Sequence, residues 1–234
     1  MSDADLKHDV LTTASDAALM YEGECLFAGQ HDDFGYVLSI VVGGGVGRND
    51  SVVTLAKVWG DADHGERARR VQIIDIPLCV PDANSHELTG VIHEYLTRYP
   101  NVSVVLNDNG MGNALGQHLK AQGIYYKPVN WGGSCFSNEN RNTYFNKRSQ
   151  ANVCLSRSIV QGRFKITTSK YQDQIKKQVM QRLFSFDVNA RFKMASKDDM
   201  QNRGIRSPHI ADTFAFLFLE SVSYIGSQPN KVVV

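Results

Sequence analysis

The chain has 234 residues and a mass of 26.0 kDa, enough for one sizeable domain with its own core. Hydrophobic residues make up 42% and charged residues 21%, an ordinary globular composition that excludes wholesale disorder. No apolar run approaches the roughly 20 residues of a membrane span, and the polar N-terminus does not resemble a signal peptide. The four cysteines lack CxxC spacing, which predicts an intracellular chain with free thiols.

The net charge of +1 hides a strong asymmetry between the two halves of the chain. Residues 1–118 hold 7 Lys and Arg against 17 Asp and Glu, whereas residues 119–234 hold 18 against 7. A basic half beside an acidic half suits a protein that grips a polyanion with one part and holds cations with another. Chance segregation of solvated charges is the alternative interpretation.

The predicted elements begin with a polar lead-in over residues 1–25, which has weak helical periodicity. Alternating and β-branched runs then predict strands, and apolar spacing of three and four predicts helices. The strands are predicted at 36–42, 51–59, 71–78, 101–108 and 124–129, with helices at 86–99 and 113–122. A long helix at 138–159, a short strand pair near 162–166, and helices at 171–183 and 207–224 follow.

This order is a three-strand meander followed by alternating strands and helices. It predicts a mixed α/β sheet with helices packed on its faces. The chain shows no internal repeat and no low-complexity linker, so residues 26–234 are predicted to form a single domain.

The first candidate site is the turn Asn107–Gly112, which follows the fourth predicted strand. Open α/β sheets place their sites at the carboxyl ends of central strands, and the glycines allow a close approach of backbone. The alternative is a tight turn in which Asp108 merely caps the following helix.

The second candidate site opens the last apolar helix, where His209 and Asp212 stand three residues apart and share a helical face. A histidine and a carboxylate on one face suit a metal site or acid–base chemistry. The alternative is a helix start in which Asp212 only favours the helix dipole. A carboxylate at the edge of so apolar a helix needs a partner, which favours function.

Two further patterns concern phosphate. The glycine-rich turn Gly43–Asp50 runs into a strand rather than a helix and lacks a Walker motif, so it is predicted to be a hairpin tip.

A basic stretch with interleaved polar residues suits contacts with a phosphate backbone, although solvated helix faces would account for several of its members. Its cations include Arg141, Lys147, Arg148 and Arg163.

Taken together, these segments resemble the nuclease domain of the large terminase subunits that package DNA into tailed phages. The resemblance spans residues 36–218 and is most specific in KMASKDDMQNRGIRSPHIAD, residues 193–212. The stretch FNKRSQANVCLSRSIVQGRFKI, residues 145–166, resembles the Asn-Lys-Arg helix and short strand of the family. The hairpin GGGVGRNDS resembles its glycine-rich turn.

The resemblance implies an RNase H-like fold and endonucleolytic cleavage of concatemeric double-stranded DNA during genome packaging. It implies two Mg²⁺ or Mn²⁺ ions held by acidic residues, with which phosphodiester hydrolysis is metal-assisted. The implied partners are double-stranded DNA, a terminase ATPase domain, the small terminase subunit and the portal, with no membrane. The implied location is the host cytoplasm.

The chain departs from the family pattern at two of the three expected acids. Val41 or Val42 stands where the resemblance implies the first Asp, and Asn107 stands where it implies the second. Only Asp212 matches its expected position, with His209 three residues before it. Asp108, one step after Asn107, comes into line if the strand carries a one-residue bulge. Substitute ligands for the first acid are sought among Asp50, Asp61 and Asp75.

The resemblance therefore implies a specific set of roles. Asp108, Asp212 and His209 are expected to be catalytic, and Asp108, Asp212, Asn107 and Asp50 are the expected metal ligands. The structural turns are expected at Gly43, Gly44, Gly110 and Gly112. The expected DNA contacts are Arg141, Lys147, Arg148, Arg163, Lys197 and Arg203. Two rivals stay open: a catalytically impaired RNase H-like DNA-binding module and a RuvC-like junction nuclease. An actin-like kinase fits less well because no phosphate-binding loop is present.

Overall fold

The computed structural model describes residues 9–23, 25, 34–44 and 49–226, with Lys197 described by its backbone alone. The strands are β1 (Asp9–Val10), β2 (Gly35–Val41), β3 (Asp50–Trp59), β4 (Arg70–Pro81), β5 (Val102–Leu106), β6 (Lys127–Pro128), β7 (Phe164–Ile166), β8 (Leu183–Phe186) and β9 (Phe192–Met194). The helices are α1 (Ala14–Ala18), α2 (Ser85–Arg98), α3 (Met111–Ala121), α4 (Asn138–Thr143), α5 (Lys147–Val160), α6 (Gln172–Met180), α7 (Lys197–Asn202) and α8 (His209–Phe216).

A six-stranded mixed sheet forms the centre of the fold, in the order β6-β5-β2-β3-β4-β7. The meander β2-β3-β4 is antiparallel, whereas β5 pairs parallel with β2 and β6, and β7 pairs parallel with β4. A small sheet, in the order β1-β8-β9, lies apart from it. The predicted mixed α/β sheet flanked by helices is therefore confirmed.

Helices cover both faces of the central sheet and divide the core in two. One face packs against α2 and α3 through Leu38, Ile40, Leu88 and Leu115. The other face packs against α5, α6 and α8, and Phe164 and Phe214 are among its largest buried side chains. Because the strands are pleated, alternate residues of β2 contribute to opposite faces.

The predicted hairpin between residues 36–42 and 51–59 is confirmed, since Val41 pairs with Val52 and Tyr36 with Lys57. Its tip, residues 45–48, lies outside the described part of the chain. The segment predicted as a polar lead-in contributes Ala17 and Met20 to the main core. The division of the chain at residue 25 stays a prediction.

Several predicted elements in the second half are wrong in extent or kind. The strand predicted at 124–129 is only β6, and the helix predicted at 171–183 ends at Met180 before β8 begins at Leu183. The long helix at 138–159 is two helices, because Asn146 starts a new one by accepting a hydrogen bond from Ser149 N (3.0 Å). The strand pair near 162–166 is the single strand β7, which finds its partner in β4 rather than beside it in sequence. The last helix ends at Phe216, after which Phe218 and Leu219 continue as tight turns.

Candidate active site

One edge of the central sheet collects the ends of three neighbouring strands. β2 and β5 run parallel with Ile40 opposite Leu106, and Asn107 N donates to Ile40 O (3.1 Å). The carboxyl ends of both strands therefore meet at this edge. Asp50, at the start of the antiparallel β3, lies at the same edge because Val41 pairs with Val52. This is the place where open α/β sheets form their sites.

The loops that leave this edge are held by close contacts of backbone. A Cβ atom on Gly112 would lie 1.8 Å from Asn107 O, and one on Gly43 would lie 2.1 Å from Asn49 O. Gly110 has φ of 60°, and a Cβ on Gly44 would touch Met111 Cγ at 3.4 Å. The four predicted turn glycines thus lie where the loops after β2 and β5 approach each other.

Helix α8 brings the second candidate site to this same edge. The hydroxyl of Ser39, in the middle of β2, donates to Thr213 O (2.7 Å). At the start of the helix, His209 Nδ1 is 2.6 Å from Asp50 O. Asp212 lies one turn into the helix from His209, between these two anchor points. The structure therefore places His209 and Asp212 over β2 and β3, at the edge of the sheet where the neighbouring strand β5 leads to Asn107 and Asp108.

The contact of His209 fixes the roles of its two ring nitrogens. A backbone carbonyl oxygen can only accept a hydrogen bond. His209 Nδ1 is therefore protonated and donates this hydrogen bond to Asp50 O. In the neutral imidazole, Nε2 is then a proton acceptor. The residue is 8% exposed and is therefore largely buried.

The charge of Asp212 opposes the effect of burial on two arginines, the buried Arg182 and the half-buried Arg148. Burial lowers the pKa of the Arg182 guanidinium to about 10, and the negative charge of Asp212 acts in the opposite direction. The pKa of Arg148 is also lowered by burial and raised by Asp212. The Asp212 carboxylate thus favours the charged form of both guanidinium groups.

The side chain of Asp50 is occupied at the border of α6. Its Oδ2 accepts from Gln174 Nε2 (3.3 Å) and lies 3.9 Å from Cys79 Sγ. Burial and the neighbouring carboxylate raise the pKa of the Cys79 thiol to about 12. The other two proposed substitutes are engaged elsewhere, Asp61 with Arg67 and Asp75 with Lys170 and Tyr95.

The donor set at this edge is poor in acids. Val41 is 3% exposed and belongs to the same core cluster as Ile210 and Ala211 of α8, so an apolar side chain fills its place. Asn107 and Asp108 are half-buried. Among the residues that the structure describes, no group of three or more His, Cys, Asp or Glu side chains could hold a metal ion. The described donors do not fit a pair of divalent ions.

The predicted DNA contacts fall into two kinds. Arg148 and Arg163 donate to the protein's own acceptors, Arg148 to Ala195 O (2.7 Å) and Arg163 to Gln161 Oε1 (2.6 Å). The others lie at the surface or are described by backbone only. Arg141 is exposed, Lys147 lies 4.0 Å from the ring of Phe136, Arg203 is exposed at the end of α7, and the Lys197 side chain is outside the described residues.

Sequence reasoning passed over the glutamines of α6. Gln178 Oε1 accepts from both Ile210 N (2.9 Å) and Ala211 N (3.2 Å), so it caps the start of α8. Gln174 and Gln181 lie on the same helical face. Uncharged amides gave no electrostatic signal, although their spacing of four and three along a predicted helix could have marked a polar face.

Comparison with known proteins adds the family context. No family model matches the chain. A curated relative, the probable large terminase subunit of Enterobacteria phage P7, is 25% identical over 190 residues, which cover 80% of this chain. The chain spans 37% of that relative's length.

Solved structures give the same answer for the fold. The nuclease domain of the large terminase subunit gp2 of bacterial virus Sf6 has a TM-score of 0.63 at 14% identity, over 90% of this chain and 98% of that domain. This chain has the fold of a terminase nuclease domain. The large terminase nuclease from thermophilic phage G20c, solved with bound magnesium, has a TM-score of 0.52 at 16% identity over 88% and 96% of the two chains. The predicted resemblance to terminase nuclease domains and the predicted mixed α/β sheet flanked by helices are thus confirmed.

Among the described residues, no helix of this terminase-type domain is long and apolar enough to cross a membrane.

Proposed function

We propose that the chain is the DNA-cleaving domain of a phage large terminase subunit and hydrolyses phosphodiester bonds of concatemeric double-stranded DNA. The observation that carries this proposal is the placement of His209 and Asp212 on α8, which lies over β2 and β3 at the edge of the sheet where β2 and β5 end. The terminase relative and the two terminase nuclease folds support it.

The chemistry we assign rests on the residues of this chain. His209 Nε2 accepts the proton of an attacking water, because Nδ1 is held by Asp50 O. Asp212, one turn along α8 from His209, is assigned a positioning role at the start of this helix. The two Mg²⁺ or Mn²⁺ ions implied by the resemblance stay a prediction. The described donors do not form a site for them, so no step is assigned to them.

The proposed surroundings follow from the terminase relative. Double-stranded DNA is the substrate, and exposed cations such as Arg141 and Arg203 contact its backbone. The proposed partners are the ATPase domain of the packaging motor, the small terminase subunit and the portal. The proposed place of action is the cytoplasm of the infected host.

Cleavage of supercoiled plasmid tests the proposal, with parallel reactions in Mn²⁺, Mg²⁺ and EDTA. We expect nicking that His209→Gln lowers by about 100-fold or more, since general acid–base catalysis contributes 10²–10⁴-fold. Asp212→Asn should lower it as well, and the EDTA reaction tests the predicted need for a divalent metal ion. Glu94→Gln, an exposed change on α2, is the matched control and should cut like the unsubstituted chain. Thermal melting of each variant shows whether the fold survives.

Three results would contradict the proposal in different ways. Equal nicking by Asp212→Asn, His209→Gln and Glu94→Gln would place the active centre elsewhere. Binding of duplex DNA without cleavage under any metal condition would support a DNA-binding module instead. Cleavage confined to a four-way junction would support a junction nuclease.

A further inference from the structure

A polar cleft adjoins the candidate site on the side of α6. It has a volume of about 270 Å³ and lies between α6 and the segment that joins α7 to α8. Three glutamines and Lys177 form the α6 wall, and Arg206 and Ser207 contribute to the opposite wall. None of the described residues that line it is acidic. The cleft thus combines two cations with several hydrogen-bond donors.

The lining side chains favour an anion. Lys177 and Arg206 are exposed, and both side chains are basic. Gln178 uses its Oε1 atom to cap α8, so its amide nitrogen is left as the donor end of the side chain. Charged and amide donors of this kind recognise phosphate oxygens.

The cleft is linked to the candidate site by two short chains of hydrogen bonds. Gln174 donates a hydrogen bond to the Asp50 carboxylate, and the Asp50 carbonyl oxygen accepts a hydrogen bond from His209 Nδ1. Gln178 contacts the backbone of the two residues that follow His209. An anion in the cleft therefore lies beside the start of α8, where the proposed hydrolysis takes place.

We propose that this cleft binds a backbone phosphate of the DNA and so fixes the position of the strand relative to His209. The inference rests on the proposed function, because it takes the ligand to be the same DNA that the site cleaves. Lys177 and Arg206 supply the charge, and the α6 glutamines supply directed donors. None of these five residues contacts the scissile bond in this arrangement, so they are positioning residues.

Binding of a labelled DNA duplex, measured by fluorescence anisotropy over a salt series, tests the cleft. Each neutralised phosphate contact contributes about 0.9 to the slope of log affinity against log salt concentration. We expect Lys177→Gln and Arg206→Gln each to reduce the slope by about 0.9 and to weaken binding about threefold to fivefold near 0.2 M salt. Lys127→Gln, an exposed change in β6, is the matched control and should leave the slope unchanged.

Gln178→Glu separates a binding role from a structural one. A carboxylate can still accept from Ile210 N and Ala211 N and suits the start of a helix, so the melting temperature should not fall. The added negative charge should nevertheless repel a phosphate and weaken DNA binding at least as much as Lys177→Gln does. A drop in melting temperature with unchanged binding would show that Gln178 is only structural.

The outcomes distinguish the cleft from the proposed function. If the unsubstituted chain binds and nicks DNA while Lys177→Gln and Arg206→Gln match Lys127→Gln, the cleft proposal is overturned and the nuclease proposal stands. If the unsubstituted chain neither binds nor nicks DNA, both are overturned. Reduced slopes in the two cleft variants, with normal folding, would support the cleft.

Discussion

The two faces of the central sheet are packed in different ways. The face toward α2 and α3 is an apolar cluster in which Leu38, Ile40, Leu88 and Leu115 are fully buried. The face toward α5 and α8 also buries apolar side chains, but it encloses Ser39, Thr54, Thr213 and Arg182 as well.

The difference shows that this fold buries its polar groups on the face toward α5 and α8. A buried polar group is destabilising unless it is hydrogen-bonded, and the α8 face satisfies most of its polar groups with internal partners. Ser39 bonds α8 to β2, and Thr54 bonds it to β3. Hydrogen bonds are directional, so this face fixes the position of α8 more closely than apolar contacts alone. The helix fixed in this way is the one that carries His209 and Asp212.

Removing the buried Arg182 from the polar face should have the largest effect on the stability of the fold. Arg182 donates to Val179 O (3.2 Å), Asn152 Oδ1 (3.0 Å) and Thr12 Oγ1 (3.3 Å) and is 1% exposed. Arg182→Met leaves three buried acceptors without their donor, and each unsatisfied buried group costs about 1–3 kcal/mol, so we expect a loss of about 3–5 kcal/mol in the free energy of unfolding. Urea denaturation measures it. A neutral or stabilising result would show that the polar face needs packing rather than charge.

A truncation on the apolar face should be comparably costly but functionally silent. Leu38→Ala removes a fully buried side chain between α2 and α3, and we expect it to cost about 3 kcal/mol. Because the change lies away from α8, the folded fraction should still nick plasmid at the normal rate. Activity per folded molecule, compared with that of Arg182→Met, is the measurement. Loss of nicking by folded Leu38→Ala would show that the two faces are not independent.

A single hydroxyl on the polar face should have a smaller effect. The Thr213 hydroxyl donates to Ile210 O (2.7 Å), so at its 2.8 Å contact with Thr54 the Thr54 hydroxyl is the donor. Thr213→Val leaves that buried donor unpaired and should cost about 1–2 kcal/mol. Thr213→Ser keeps the hydroxyl and is the control. Equal stability of the valine and serine variants in thermal melting would contradict a role for this hydrogen bond.

The smallest expected effect on stability concerns Asp75, an acidic residue of β4. Burial raises the pKa of the Asp75 carboxyl, but hydrogen bonds from Lys170 (2.8 Å) and Tyr95 (2.6 Å) outweigh it and hold the pKa below its usual value. A lowered pKa stabilises the fold above about pH 3.9, and that contribution disappears as pH falls through the folded value. Asp75→Asn should therefore cost about 1 kcal/mol at pH 7.

The pH dependence provides the check on Asp75. The difference in unfolding free energy between Asp75→Asn and the unsubstituted chain should shrink steadily below about pH 4. A difference that stayed constant from pH 7 to pH 3 would mean that the carboxylate charge is not what stabilises the fold at Asp75.

Much of the first half of the fold could be predicted from sequence because its elements are local. The β-branched run at 36–42 and its antiparallel partner form a hairpin, which hydrophobic patterning detects. The second half failed where partners are distant in sequence. β7 is only three residues long and depends on β4, about 90 residues earlier, and no local pattern specifies that pairing.

The candidate site was predictable in position but not in composition. Asn107 and Asp108 were placed at a strand end and His209 at a helix start, which the structure brings to one edge of the sheet. Sequence could not show that Asp50 would face Gln174, because that contact joins residues 124 positions apart. The sequence also gave no sign that Arg148 would donate a hydrogen bond to Ala195 O. An arginine that bonds within the protein and one that faces solvent look alike in sequence.

The close approaches at Gly43 and Gly112 have a consequence for random mutagenesis of the chain. A side chain at either position would collide with backbone oxygen atoms rather than with a movable neighbour. In a library of single substitutions selected for folded protein alone, both positions should therefore retain glycine almost exclusively. Gly132, where an added methyl group meets nothing within 4 Å, should accept many residues. Selection for folding would then constrain the loops around the site even in a library that was not selected for DNA cleavage.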